Sequence, residues 1–148
     1  RTTIMTGFPG ETERQFGRVL DFLEEAELDR VGAFVYSPEE GTPAASFPNQ
    51  IPRSTAEERY ARLMELQAGI TQARSELFLG RDLDVLVEDA EPTEEGAGGE
   101  VWGRSYRDAP EVDGAVCAAG TAARGDLVRV RVTDCEDCDL FGTLEARP

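Results

Sequence analysis

The sequence has 148 residues, 40% of them hydrophobic, and its 30 acidic residues outweigh 15 basic ones for a net charge of −15. That apolar content can build a core, which argues against wholesale disorder, and the length allows one domain or two small ones. There is no run of 18 apolar residues to span a membrane, and the acid excess lacks the basic footprint that phosphate backbones require.

All basic residues are arginine and histidine is absent. Three cysteines, an odd number, argue against a disulfide scaffold and fit a reducing cytoplasm. The charge is uneven: residues 78–148 carry −10 and residues 1–77 carry −5. One reading is an ordinary solvated surface. The other is a surface complementary to a basic protein, because complementary fields steer association.

Residues 3–7 read as a short apolar strand ending at Gly7-Phe-Pro-Gly10. Thr12-Glu-Arg-Gln15 has the pattern of a capping box, and Phe16, Val19, Leu20, Leu23 and Ala26 repeat at three and four along one helical stripe. Val31–Tyr36 is a continuous apolar run, predicted as a parallel strand buried on both faces. Strand, helix and strand make a βαβ unit. One parallel pair does not make a domain, and no methionine stands at position 1, so the chain is expected to be part of a larger protein.

Residues 37–53 form a loop with four prolines, longer than a passive connection needs. Ser54-Thr-Ala-Glu57 reads as a second capping box, opening a helix to about Leu77 with Tyr60, Leu63, Met64, Ile70 and Leu77 on its buried side. From Arg81 the period changes to two. Leu83, Val85 and Val87, then Val128, Val130 and Val132, alternate with polar residues, and further short runs lie at 100–106, 114–119 and 139–146. Five short strands predict a small antiparallel, OB-like barrel, with a polar hairpin loop at 91–99 and a domain boundary near 78–81.

The Gly7–Glu11 turn is not a Walker loop, having no Gly-Lys-Ser/Thr, and it lacks dinucleotide-binding spacing. It reads either as a tight βα turn or as exposed amides beside a ligand. Cys135-Glu-Asp-Cys138 suggests half a zinc site or a redox pair, but no second pair and no histidine complete four ligands, so no metal site is expected. Cys117 reads as a core residue.

Three phrases carry a family resemblance: Thr3-Ile-Met-Thr-Gly-Phe-Pro-Gly-Glu-Thr12, Tyr36-Ser-Pro-Glu-Glu-Gly-Thr-Pro-Ala-Ala45 and Gly103-Arg-Ser-Tyr-Arg-Asp-Ala-Pro-Glu-Val-Asp-Gly114. The first two resemble the last two β/α units of the radical S-adenosylmethionine methylthiotransferases. The third resembles the C-terminal TRAM barrel of their RimO branch, which modifies an aspartate of a small-subunit ribosomal protein. The resemblance implies an α/β plus all-β fold: residues 1–79 end a partial parallel (β/α) barrel, and residues 80–148 form a five-stranded TRAM barrel.

It also implies S-adenosylmethionine and two 4Fe-4S clusters in the whole enzyme. The CxxxCxxC of the radical cluster does not occur in these residues, so no catalytic residue is assigned here and these residues alone are expected to be inactive. Gly7, Gly10, Glu11, Tyr36 and Ser37 take cofactor-side positions, while Gly41, Thr42, Arg104, Asp108, Glu111 and Asp113 take substrate-side ones. The implied partner is a basic ribosomal protein, with RNA a weaker candidate, and neither the electron donor nor the sulfur source is identified. The rival readings are the same chemistry on transfer RNA and a non-catalytic binding module.

Overall fold

The computed structural model describes residues 1–92, 98–110 and 112–145. They belong to two compact units, 1–71 and 72–148.

In the first unit, β1 (Thr2–Thr6) and β2 (Val31–Val35) pair in parallel, Thr2 opposite Val31 and Thr6 opposite Val35. Helix α1 (Glu13–Ala26) joins them. It starts on the expected capping box: the Gln15 N–H donates to Thr12 Oγ1 (3.3 Å), and the Thr12 N–H donates to Gln15 Oε1 (2.9 Å). It stops where Glu27 turns left-handed at φ 43°. Phe16 and Leu23 are fully buried and pack with Val31 and Leu63, and with Ile4, Val19, Leu20 and Ala33 around them.

A short 3-10 turn (Pro43–Ser46) precedes helix α2 (Arg53–Glu76). The Ala56 N–H donates to the Pro52 carbonyl oxygen (3.1 Å), so the helix is entered from Pro52, two residues before the expected Ser54 cap. Its buried stripe is Ala56, Arg59, Leu63 and Gln67. Tyr60 and Leu77, expected on that side, are 36% and 51% exposed. Each helical residue turns about 100°, so Tyr60 stands one step off the stripe in which its neighbour Arg59 is seated.

The strands are covered on one face only, contrary to the double burial expected of β2. Val31 and Ala33 meet the helices, whereas Phe34 is 47% exposed and its register partner Met5 is 38% exposed.

The second unit closes a five-stranded barrel from β3 (Asp82–Pro92), β4 (Gly99–Arg104), β5 (Val116–Ala119), β6 (Leu127–Glu136) and β7 (Asp139–Leu144), in the order β3-β4-β5-β7-β6. The alternating valines point inward: Val85, Val87, Val101, Val116, Val130 and Val132 are all almost completely buried. The barrel is mixed rather than antiparallel, because β5 and β7 run parallel with Val116 opposite Leu140. Alternation fixes which face a residue takes and carries no information about a neighbour's direction. The β6–β7 hairpin returns the chain in the direction of β5.

Two glycines let strands approach closely. A Cβ on Gly103 would strike the Leu86 carbonyl oxygen and lie 2.8 Å from Val85 Cγ1, and one on Gly142 would strike the Arg131 carbonyl oxygen. The register also shifts at Val87/Asp89 and Val132/Asp134, bulges that help a small barrel to curve. Most of the expected 91–99 loop lies outside the described residues.

Candidate functional site

The turn after β1 is held from inside. Gly7 and Gly10 adopt φ of 77° and 86°, a region that favours glycine, and a Cβ on Gly7 would collide with Ala56 Cβ. The Gly7 N–H donates to Glu11 Oε2 (2.9 Å), the Gly10 N–H to the Asn49 carbonyl oxygen (2.9 Å) and the Glu11 N–H to the Phe8 carbonyl oxygen (2.9 Å). These amides therefore bond within the protein.

Arg59, 5% exposed, locks the arrangement. Its Nη1 donates to Glu11 Oε2 (2.7 Å) and to the Glu11 carbonyl oxygen (3.1 Å), while Nε and Nη2 reach Glu13 Oε2 (3.3 Å each). Arg62 donates to Glu13 Oε1 (2.7 Å), a hydrogen bond that holds the Glu13 carboxyl below its ordinary range. Sequence reasoning missed Arg59. The available signal was its spacing, three residues after Ala56 and four before Leu63.

Beside the turn, Met5, Phe8, Phe34, Tyr36, Ser37 and Thr42 line an open cleft of about 500 Å3. The Tyr36 N–H donates to the Thr6 carbonyl oxygen (2.9 Å), continuing the sheet past β2. The Phe8 ring meets Tyr36 edge-on at 5.3 Å and Phe47 at 6.2 Å. The Tyr36 hydroxyl is buried and has no hydrogen-bond partner among the described residues, an unsatisfied polar group at the cleft. Tyr36, Ser37 and Thr42 are thus brought together. Thr42 Oγ1 donates to the Glu39 carbonyl oxygen (2.8 Å), and Gly41, at φ 84°, faces open space.

In the barrel, the loop after β4 is built by its own carboxylates. Asp108 Oδ2 accepts from the Ser105 N–H (3.0 Å) and Ser105 Oγ (2.7 Å), and Asp113 Oδ2 accepts from the Ala109 N–H (2.7 Å). Arg104 pairs with Glu88 (3.0 Å), and the Arg107 guanidinium sits 3.8 Å over the Phe78 ring. Glu111 lies outside the described residues. Tyr106 and Val112, at 82% and 71% exposure, are the loop's outward apolar side chains.

The cysteines do not converge on a ligand set. Among the described residues, no group of three or more His, Cys, Asp or Glu side chains is placed to hold a metal. Burial, followed by the Glu76 charge, pushes the Cys135 thiol up, so it is less ready to ionise. Cys117 is 3% exposed, and burial beside Glu100 pushes its thiol up to about 12. It lies on the outer side of β5 between Trp102 and Phe141, while Val116 and Ala118 face the core.

Residues 79–144 match the model of the TRAM domain. Over all 148 residues, the chain is 50% identical to a protein named ribosomal protein uS12 methylthiotransferase RimO from a Roseiflexus species. It is 48% identical over 148 residues to the protein of that name from a Synechococcus species, and 51% over 143 residues (95% of the chain) to that of an Azoarcus species. The chain spans about a third of these relatives, 30–31% of their length, at the C-terminal end. Along its length the chain is therefore similar to the C-terminal part of proteins named ribosomal protein uS12 methylthiotransferase RimO, and its second half matches the TRAM domain.

Proposed function

We propose that the complete polypeptide adds a methylthio group to an aspartate of ribosomal protein uS12 in the cytoplasm. In this reading, residues 1–79 supply the last two β/α units of the radical S-adenosylmethionine barrel, and residues 80–148 are the TRAM domain that recognises the basic protein. Identity of about half the residues along the entire chain to proteins of that name carries the reading.

The first unit suits this role. The uncovered side of the sheet, with Met5 and Phe34, is the side that further parallel strands and a ligand would cover. Tyr36, Ser37 and the apolar floor of the cleft suit the adenosine of S-adenosylmethionine, with the unsatisfied Tyr36 hydroxyl as a polar contact. Gly7, Gly10 and Glu11 shape the cleft wall, with Arg59 fixing Glu11 in place. When bound, S-adenosylmethionine supplies the radical precursor and the methyl group. The cysteines here do not fit a 4Fe-4S cluster, so the cluster ligands are assigned to other residues of the polypeptide.

A transfer-RNA substrate is disfavoured by charge. The barrel half carries −10, Arg104 is paired with Glu88, and Arg107 is stacked on Phe78. Titration of the chain with uS12 and with transfer RNA, each at low and moderate salt, tests this. Tighter binding of uS12 that weakens as salt rises is expected, and tighter binding of the RNA would overturn the assignment.

A further inference from the structure

Across the outer surface of the barrel, one register row runs Asp89, Trp102, Cys117, Phe141, Asp134 over five adjacent strands. Every second residue of a strand faces outward, so this row is the counterpart of the valine layer inside. Trp102 is 37% exposed, although indole is among the most costly side chains to leave in water. Cys117 beneath is closed off, and the Glu100 carboxylate stands beside its thiol. Asp89 and Asp134 are exposed at the two ends of the row. The cationic side chains nearest in sequence are engaged: Arg104 with Glu88 at 3.0 Å and Arg131 with Asp82 at 2.5 Å.

We infer that this face of β3, β4 and β5 seats an arginine- or lysine-bearing segment of the basic protein partner, its cation over the Trp102 ring and beside the carboxylates of Glu100 on the same strand and Asp89 on the neighbouring one. This deepens the proposed recognition of a basic ribosomal protein and rests on it. A cation over an indole face gains from the ring quadrupole, and flanking carboxylates add charge-assisted hydrogen bonds. An exposed aromatic within a polar rim is the anatomy of an interface hot spot. The same acids repel a phosphate backbone, which sets the face apart from a base-stacking surface despite its aromatic rings.

Trp102 is the chain's one tryptophan, so its emission reports on this face directly. The 148-residue chain is titrated with a glycine–arginine hexapeptide, its glycine–glutamine counterpart, oligouridylate and labelled uS12. The arginine peptide and uS12 are expected to shift Trp102 emission saturably and to shield it from acrylamide, while the glutamine peptide does neither. The double change Asp89→Asn and Glu100→Gln leaves the buried layer intact and is expected to weaken both responses about tenfold. Trp102→Phe keeps a ring and should lower uS12 affinity less than Trp102→Ala, with circular dichroism confirming that both variants fold. Binding of uS12 seen by anisotropy with Trp102 emission unchanged would overturn the inference and leave the proposed substrate standing. A Trp102 response to the arginine peptide with no binding of uS12 would instead sink the proposed substrate. A stronger shift with oligouridylate than with the arginine peptide would assign the face to RNA.

Discussion

Replacing Arg59 with alanine should destabilise the first unit by about 2–4 kcal/mol. The guanidinium is 5% exposed, and its main partner, the Glu11 side chain, is 15% exposed, so screening by water is slight at that contact. The bond to Glu11 Oε2 is charge-assisted, worth about 1.5–3 kcal/mol, and the one to the Glu11 carbonyl oxygen adds about 1 kcal/mol. The contacts to Glu13 add little because that side chain is 61% exposed. Burying the guanidinium opposes these gains, but breaking one side of such a pair also strands Glu11 with only the Gly7 N–H as partner, which keeps the net loss near the stated range. Urea unfolding followed by the helical circular dichroism of α1 and α2 measures the change. Arg59→Lys, which keeps the charge and loses the fork, should recover only part of the loss. If Arg59→Ala unfolds within about 0.5 kcal/mol of the parent, the clamp contributes nothing and the reasoning about Glu11 is wrong.

In the barrel, Gly103→Ala should cost about 1–3 kcal/mol, because its Cβ meets backbone of β3 rather than a movable side-chain tip; thermal unfolding followed by Trp102 emission checks it. Asp108→Ala should cost about 1 kcal/mol and speed amide exchange at Ser105, whereas Asp108→Asn, which keeps an acceptor oxygen, should have a smaller effect. The Cys117 thiol gives a pH signature. Below its ordinary value of 9.0 it is protonated in both states; above that the unfolded thiol ionises while the folded one holds its proton up to about 12. Stability should therefore fall as pH rises through this window, by at most ~1.4 kcal/mol per pH unit, and Cys117→Ala should lack that component in paired urea titrations.

Local chemistry was legible in the sequence. The Thr12–Gln15 capping box and the stripe through Phe16 and Leu23 formed where expected, because both depend on residues within one or two turns. Two of the barrel strands, β3 and β6, were legible for the same reason, announced by alternating Leu83, Val85 and Val87 and by Val128, Val130 and Val132, while the other three showed only as short runs. The parallel pairing of β5 with β7 was not, since it depends on the path of the chain between distant strands. Arg59 and Gln67 were invisible to a search for apolar periodicity because each is buried through hydrogen bonds: Arg59 to Glu11, and Gln67 to the Leu28 carbonyl oxygen. At the candidate site, the phrases around Tyr36 and Ser37 led to the cleft, but Phe8 and Phe34 entered only through the fold. Asp108 and Asp113 were placed on the substrate side by resemblance, and the structure puts their carboxylates on loop amides.

The proposed activity of the polypeptide containing this chain is methylthiolation of a ribosomal protein. Its most direct test is mass spectrometry of uS12 and of transfer-RNA nucleosides after anaerobic incubation of the reconstituted complete polypeptide with S-adenosylmethionine and a reductant. One methylthio group on a single aspartate of uS12 and none on the RNA is the expected result. Unmodified uS12 beside a methylthiolated nucleoside would contradict it.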